Sequence, residues 1–170
     1  HTDNGGISRF VKFEYFFNEI LKRKPKTDEL GYLLEEFSIA VKTQLMQCDE
    51  APRIREVLEA ASENASLFVV SGGAQDELRD VFSLRGIDQY FSAIYGSPDS
   101  KDEILIRERE QGAMTYPAVF FGDARYDFEV AQRHGFDFVF ASDWTEFSNW
   151  SDYFSDKDVK IINSIADLIA

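Results

Sequence analysis

Two aspartates stand four positions apart at the end of an apolar segment, in the stretch AVFFGDARYDFEVAQRHG that starts at Ala118. Asp123 follows the apolar residues directly and Asp127 falls one turn into a predicted helix, so both carboxylates can face one point. Like charges so placed repel, and the positive end of a helix relieves only part of the repulsion. Oxygen ligands with room for water suit Mg²⁺. The pattern therefore indicates a Mg²⁺ site, with two solvated acids at a helix start as the alternative.

A second group of residues suited to chemistry lies in the stretch VVSGGAQDEL. Ser71 leaves an apolar strand, Gly72 and Gly73 let the backbone turn tightly, and a helical pattern follows. A hydroxyl group and backbone N–H groups at the start of a helix form a ready anion site. The alternative is a plain glycine turn in which Ser71 is the helix N-cap.

A third group is centred on Lys101, in the stretch YGSPDSKDEIL. Lys101 stands at the start of a predicted helix, where the helix dipole disfavours a cation. A negative neighbour would stabilise it there, either Asp99 and Asp102 or a bound phosphate group. A solvated lysine is the alternative.

The elements that must position these residues follow from the apolar spacing. After Cys48 the chain alternates between helical patterns and short apolar runs, which is typical of a parallel sheet with helices on both faces. In such an α/β, Rossmann-like sheet, ligands bind beyond the carboxyl ends of the strands, where the three groups fall. The predicted strands are SLFVV, FSAIYGS, AVFFGD and FDFVFAS, followed by a short strand and helix in VKIINSIADLIA.

The first 48 residues have a different pattern. Apolar residues recur at helical spacing from Ile7 to Leu21, and again from Leu30 to Leu45 after the basic break KRKPK. Thr27 is the predicted N-cap of the second helix. Near the other end of the chain, the aromatic stretch DWTEFSNWSDYF is expected to pack its rings over the sheet edge close to the site; a partner surface is the alternative.

Length, net charge and cysteine content limit the classes of protein to which the sequence can belong. The length of 170 residues suits one domain with a small appendage, and a net charge of −13 argues against nucleic acid as a partner. No apolar run approaches the roughly 20 residues that a membrane span needs. The single cysteine, Cys48, excludes an internal disulfide and fits a reducing cytoplasm. With two histidines beside it, the sequence argues against a structural zinc site.

Taken in chain order, these groups resemble the motifs of the haloacid dehalogenase (HAD) superfamily of phosphohydrolases. FVVSGG with Ser71 matches the second motif of that family, Lys101 matches the third, and FFGDARYD with Asp123 and Asp127 matches the fourth. The resemblance covers roughly residues 50 to 141. It implies a HAD-like α/β core over residues 49–170 and part of a small α-helical cap over residues 1–48.

The resemblance also implies an activity, a Mg²⁺-dependent phosphatase that acts on a small phosphorylated metabolite through an aspartyl-phosphate intermediate. Asp123 and Asp127 would bind the metal. Ser71, the Gly72 N–H group and Lys101 would bind phosphate, and Ser71 and Lys101 would also take part in catalysis. Phosphosugars or phosphoglycolate-type substrates are the expected class, with dehalogenation and phosphomutase activity as alternatives within the superfamily.

One motif of the family is missing. Its first motif, an apolar strand followed by Asp-x-Asp-x-(Thr or Val), supplies the nucleophile, and no such stretch precedes the cap-like helices. We therefore expect an inactive chain whose core lacks its first strand and whose exposed sheet edges allow self-association. Truncation of a longer enzyme is the preferred explanation; a degenerate, non-catalytic binding or assembly module and a mistaken match are the alternatives.

A serine hydrolase is a rival interpretation that would use Ser71 as nucleophile and His134 as base. The strand-to-helix elbow of such enzymes reads G-x-S-x-G, but Val69 occupies the position of the first glycine. The pattern therefore does not favour this class.

Overall fold

The computed structural model describes residues 7–169. The described chain divides into two compact units. We call Ile7–Glu50 with Ala61–Ser100 the N-unit, and Ala51–Ala60 with the chain from Lys101 onward the C-unit. None of the helices in the described residues has the length and apolar composition that crossing a bilayer requires. The predicted cap and core boundaries do not coincide with these units and stay a prediction.

The N-unit contains a parallel pair of strands, β1 (Phe68–Ala74) and β2 (Ala93–Ser97), joined by helix α4 (Gln75–Leu84). The pairing runs regularly to Val70 and Tyr95 and then resumes at Ala74 and Ser97. Three residues of β1 therefore stand opposite one residue of β2, so β1 bulges at Ser71–Gly73. The prediction that the strand ends before Ser71 was wrong, because pairing with β2 extends the strand to Ala74.

The N-unit also contains further helical segments. They are α1 (Arg9–Tyr15), a π-helical turn (Phe16–Ile20), α2 (Glu29–Gln47) and a 3₁₀ turn (Asp88–Tyr90). Phe17 is the buried anchor of this segment, with 1% of its surface exposed, while the rings of Phe13 on α1 and Phe37 on α2 meet edge to face at 5.7 Å. The N-cap position of α2 is Asp28 and not the predicted Thr27, and the Asp28 side chain makes no capping hydrogen bond.

The C-unit is built on a three-stranded parallel sheet. Its elements are α3, which lies mostly in this unit (Ile54–Ser62), α5 (Lys101–Glu110), β3 (Val119–Gly122), α6 (Arg125–His134), β4 (Asp137–Ala141), α7 (Trp150–Phe154), β5 (Lys160–Ile162) and a 3₁₀ turn (Ile165–Leu168). The strand order is β3-β4-β5. Helix α6 packs on β3 and β4, and helix α5 packs on α6.

Aromatic rings form the core of the C-unit. Phe140 on β4 is fully buried, and the Phe154 ring of α7 lies 4.8 Å from it, centroid to centroid. Phe128 of α6 meets Phe154 edge to face at 5.3 Å. These contacts stabilise the fold beyond their buried area by roughly 0.5–1.5 kcal/mol per pair. Trp150 and Phe154 of the aromatic stretch therefore pack on the middle strand of the sheet, whereas Trp144 is 57% exposed.

The predicted fold class is confirmed, because every strand pairing in residues 7–169 is parallel and helices connect the strands. Within the same residues β1 pairs only with β2, and β3 pairs only with β4. Each of these two strands therefore has an edge without a partner strand.

Candidate active site

The central feature of the C-unit is a buried ion pair between Lys101 and Asp127. Lys101 is the first residue of α5, and Asp127 lies in the first turn of α6. Their side chains are only 8% and 5% exposed. The Lys101 ammonium also lies over two aromatic rings, 5.8 Å from the Phe120 centroid and 6.0 Å from that of Tyr126. The negative neighbour that would stabilise Lys101 at a helix start is thus Asp127 of α6.

The Asp127 carboxylate is held from two further directions. Its Oδ2 accepts a hydrogen bond from the Ala124 backbone N–H at 3.3 Å, which satisfies one free donor at the start of α6. Gly122, the last residue of β3, makes room on the other side, because a Cβ atom there would lie 2.8 Å from the same oxygen. The glycine of the Gly-Asp-x-x-x-Asp pattern therefore lets the carboxylate lie directly against the strand end.

Asp123 lies between β3 and α6 and is exposed to solvent. Protein atoms nevertheless surround part of its carboxyl group, and this burial, followed by the negative charge of Asp127, raises its pKa. The Lys101 ammonium acts in the opposite sense with a smaller effect. The charge of the Lys101 ammonium therefore acts on both carboxylates, and it offsets the negative charge of Asp123 only in part.

A loop residue that the sequence did not single out fixes the backbone of Asp123. The Thr145 hydroxyl donates a hydrogen bond to the carbonyl oxygen of Asp123, and in turn accepts one from the Phe147 N–H at 3.0 Å. The only signal in the sequence is that Thr145 belongs to the aromatic stretch expected near the site. This loop holds Asp123 at the strand end.

The donor set of the C-unit fits a hard divalent cation. Asp123 and Asp127 offer carboxylate oxygens, and within residues 7–169 no group of three or more histidine, cysteine or acidic side chains gathers as a metal site. Mg²⁺ commonly takes one or two carboxylates and keeps several waters, whereas zinc prefers four protein ligands with nitrogen or sulfur. The raised pKa of Asp123, caused by burial and then by the charge of Asp127 and only partly opposed by Lys101, fits a position that a second cation would stabilise.

Ser71 and Gly72 belong to the N-unit. The Ser71 hydroxyl accepts a hydrogen bond from the Gly73 N–H at 3.1 Å, so its own proton is available to donate to another group. Ser97 donates its hydroxyl proton to the Gly72 carbonyl at 2.8 Å and fixes the bulge. The approach of Ser71 and Gly72 to the other predicted site residues stays a prediction.

The serine hydrolase interpretation gains no support from these positions. Ser71 lies inside a strand and not on a sharp strand-to-helix turn. His134 directs its Nε2 atom at the Asp102 carboxylate, 2.8 Å away.

Comparisons with known proteins bear on the family and the fold. The model of the haloacid dehalogenase-like hydrolase family matches residues 5–141. A search of curated proteins gave no match.

Solved structures resemble the chain in fold. A haloacid dehalogenase-like hydrolase from Streptococcus pneumoniae is 17% identical, with a TM-score of 0.66 over 85% of this chain and 70% of its own. A candidate phosphatase from Clostridium difficile is 19% identical, with a TM-score of 0.67 over 92% and 76%. Since the family model spans well over half of the residues, the chain belongs to the haloacid dehalogenase-like hydrolases.

Proposed function

We propose that this chain carries the phosphate-binding and Mg²⁺-binding parts of a phosphohydrolase that acts on a small phosphorylated metabolite in the cytoplasm. The observation that supports this proposal is the buried Lys101–Asp127 pair with the under-compensated Asp123 beside it. Buried titratable groups with a perturbed carboxylate are typical of functional sites. The fold it shares with a candidate phosphatase agrees with this class of reaction.

Each residue has a distinct role in the proposal. Lys101 and the hydroxyl of Ser71, with the Gly72 N–H, bind the phosphate oxygens and neutralise their charge. Asp123 and Asp127 hold Mg²⁺, which when bound supplies Lewis-acid polarisation of a phosphoryl oxygen. Asp127 also keeps the Lys101 ammonium in place, so the cation and the metal share one carboxylate.

Chemistry on phosphorus needs a nucleophile that this sequence does not provide. The Asp-x-Asp pattern that precedes the cap in the family has no counterpart before Ser71. We therefore expect the chain alone to bind ligands without turning substrate over.

Isothermal titration calorimetry with Mg²⁺ tests the metal site directly. The native chain should bind one Mg²⁺, and Asp123→Asn should abolish that binding. Asp137→Asn is the matched control, because Asp137 begins β4 while Asp123 follows the end of the neighbouring β3, at the opposite end of the sheet. Failure of the native chain to bind Mg²⁺, or equal loss in both variants, contradicts the proposal.

Hydrolysis of p-nitrophenyl phosphate tests the expected inactivity. The native chain should release no p-nitrophenol above the buffer rate with Mg²⁺ present. Mg²⁺-dependent turnover that Asp123→Ala abolishes would instead show that the chain supplies its own nucleophile.

A second candidate function, a self-associating module, is favoured by the free edge of β3. Val119 and Phe121 on this strand are 51% and 43% exposed, although strands of this type are usually buried. Light scattering should then show a dimer that Val119→Lys disrupts. Leu84→Lys, at a 65% exposed position of α4, should leave it intact. A monomer at all concentrations excludes this function.

A further inference from the structure

A second charged cluster lies beside the site and has no role in the chemistry described above. Asp102, the second residue of α5, accepts two hydrogen bonds from Arg133, at 3.0 Å from Nε and 2.7 Å from Nη2. The same carboxylate lies 2.8 Å from Nε2 of His134 and 3.4 Å from the Tyr126 hydroxyl. Three residues of α6 thus converge on one side chain of α5.

The contacts of α5 with α6 are spread along the whole of α6. Lys101 reaches Asp127 in the first turn of α6, whereas the next residue, Asp102, reaches Arg133 and His134 in its last turn. Two consecutive residues therefore attach the start of α5 at two separated points. Two separated attachments restrict the movement of the first turn of α5 on α6 more than a single attachment would.

The charges of this cluster also match both helix dipoles. An acidic side chain is favourable in the first turn of a helix, and cationic side chains are favourable in the last turn. Asp102 and Arg133 satisfy both conditions, and their two parallel hydrogen bonds fix the geometry as well as the charge. Lys101 alone lacks this advantage, because it places a cation at the positive end of α5.

The position of Lys101 consequently needs support from its surroundings. Its side chain has four rotatable carbon–carbon links, and ordering it costs conformational entropy. The His134 ring, by contrast, is stacked on Phe136 at 6.3 Å, and the Tyr116 hydroxyl donates to the His134 carbonyl. The last turn of α6 is therefore a fixed point to which α5 is tied.

We propose that Asp102, held by Arg133 and His134, is a positioning residue that keeps the first turn of α5 on α6, so that the Lys101 ammonium stays at Asp127. Asp102 itself touches no ligand. This inference deepens the proposed function and rests on it for the role of Lys101 in phosphate binding.

Exchange of the lysine ammonium protons with water, followed by ¹H–¹⁵N NMR, tests the proposal on the full chain without any ligand. Lys101→Arg assigns the signal. In Asp102→Asn we expect the Lys101 ammonium protons to exchange about tenfold faster, the order expected for losing one charge-assisted contact. Amide protection in β4 should stay unchanged, which separates a positioning effect from general loosening of the fold.

Two further variants make the result decisive. Glu129→Gln is the matched control, because it removes the exposed Arg125–Glu129 pair of the same helix and should leave the Lys101 signal unchanged. Arg133→Lys keeps the charge but loses the paired geometry, and should speed exchange by a smaller factor. If Asp102→Asn does not fold, Lys101 exchange in Arg133→Lys tests the proposal in its place. Unchanged Lys101 exchange in the folded Asp102 or Arg133 variant overturns the proposal.

Binding of inorganic phosphate, measured in the same samples, separates this inference from the proposed function. If the variants speed exchange at Lys101 and weaken phosphate binding, both are supported. If exchange responds but the native chain binds no phosphate, the positioning of Lys101 is supported and its assigned function fails.

Discussion

Within residues 7–169, each unit of the molecule has an ion pair that is largely shielded from solvent, and the two pairs differ in what surrounds them. In the N-unit, Arg9 lies against Glu77 with Nη1 2.9 Å from Oε1 and Nη2 2.8 Å from Oε2. The remaining neighbours of the guanidinium are the Ser38 hydroxyl at 3.0 Å and the face of the Phe37 ring at 5.0 Å. In the C-unit, the Lys101–Asp127 pair has a further carboxylate, Asp123, beside it.

Under the proposed function, this difference separates a structural pair from a functional one. A planar guanidinium matches one carboxylate in two parallel contacts and leaves little charge over. A lysine is a point charge, and here two carboxylates act on it, those of Asp127 and of the solvent-exposed Asp123. In the proposal, burial of charge alone does not distinguish the site, whereas the excess of negative charge beside the buried pair does.

Removal of Arg9 should give the largest effect on stability. Arg9→Met leaves Glu77, 19% exposed, without its cation. Breaking a fully buried pair costs about 3–5 kcal/mol of unfolding free energy, so we expect a loss towards the lower end of that range. Urea unfolding measures the loss. The control is Lys42→Met, because the Lys42–Asp80 pair of the same unit is 39% and 61% exposed and its loss should cost at most about 1 kcal/mol. Equal losses in the two variants would remove the distinction between buried and exposed pairs in the N-unit.

Mg²⁺ should offset the loss of Lys101 more than the loss of Arg9, because Arg9→Met keeps the proposed metal site unchanged and gains only what the native chain gains. Lys101→Met leaves two acidic side chains without a cation, so the metal-free variant is destabilised and its affinity for Mg²⁺ rises. At a Mg²⁺ concentration 100 times its dissociation constant, binding should restore about 2.7 kcal/mol. Urea unfolding with and without Mg²⁺ gives the measurement. An equal Mg²⁺ effect on Lys101→Met and Arg9→Met would show that the two pairs do not differ as proposed.

Loss of the Asp102 contacts should have a smaller effect that depends on pH. The Arg133 hydrogen bonds, aided by His134 and opposed by burial, lower the pKa of Asp102. A carboxylate with a lowered pKa stabilises the fold above its unfolded pKa, and this stabilisation is lost as pH falls through the folded value. Asp102→Asn should therefore lower the unfolding free energy by roughly 1 kcal/mol at neutral pH, a modest value because the Asp102 side chain is 31% exposed. The loss should become progressively smaller below about pH 4. A cost independent of pH in thermal unfolding would contradict this account.

Local spacing predicted the parts of the site that depend on local structure. The alternation of apolar runs with helical patterns placed Asp123 at a strand end and Lys101 at a helix start, and the dipole argument required an anion near Lys101. Local spacing could not identify that anion as Asp127, since Asp127 lies 26 residues away along the chain. The contacts of Asp102 with Arg133 and His134 span 31 and 32 residues and were missed for the same reason.

Two local predictions were wrong. Thr27 was predicted as the N-cap of α2, but the left-handed backbone at Asp28, with φ of 62°, places the start of the helix one residue later. The pair Gly72–Gly73 is typical of a turn, but pairing of Ala74 with Ser97 keeps Ser71 inside β1. The second error has a tertiary cause, because the partner strand β2 lies more than 20 residues further along the chain.

The smallest predicted change in stability concerns Asp123, and it reverses sign with the metal. Burial and the charge of Asp127 raise the pKa of Asp123 in the folded chain above its value in the unfolded chain. The stabilisation that this shift gives is therefore complete below the unfolded pKa, and it is lost as the pH rises through the folded pKa. The charged form of Asp123 therefore costs stability at neutral pH. Asp123→Asn should stabilise the metal-free chain by less than about 1 kcal/mol, since solvent screens the charge, and by nothing below about pH 4.

Added Mg²⁺ should reverse this order. The native chain gains stability with each increase in Mg²⁺ concentration, whereas Asp123→Asn, which lacks a ligand, does not. Thermal unfolding of both proteins across a Mg²⁺ titration should therefore show two curves that cross, with Asp137→Asn following the native curve. Parallel curves would mean that Asp123 is a solvated acid at a helix start. A crossing would mean that the charge which destabilises the metal-free C-unit is the same charge that binds the cation.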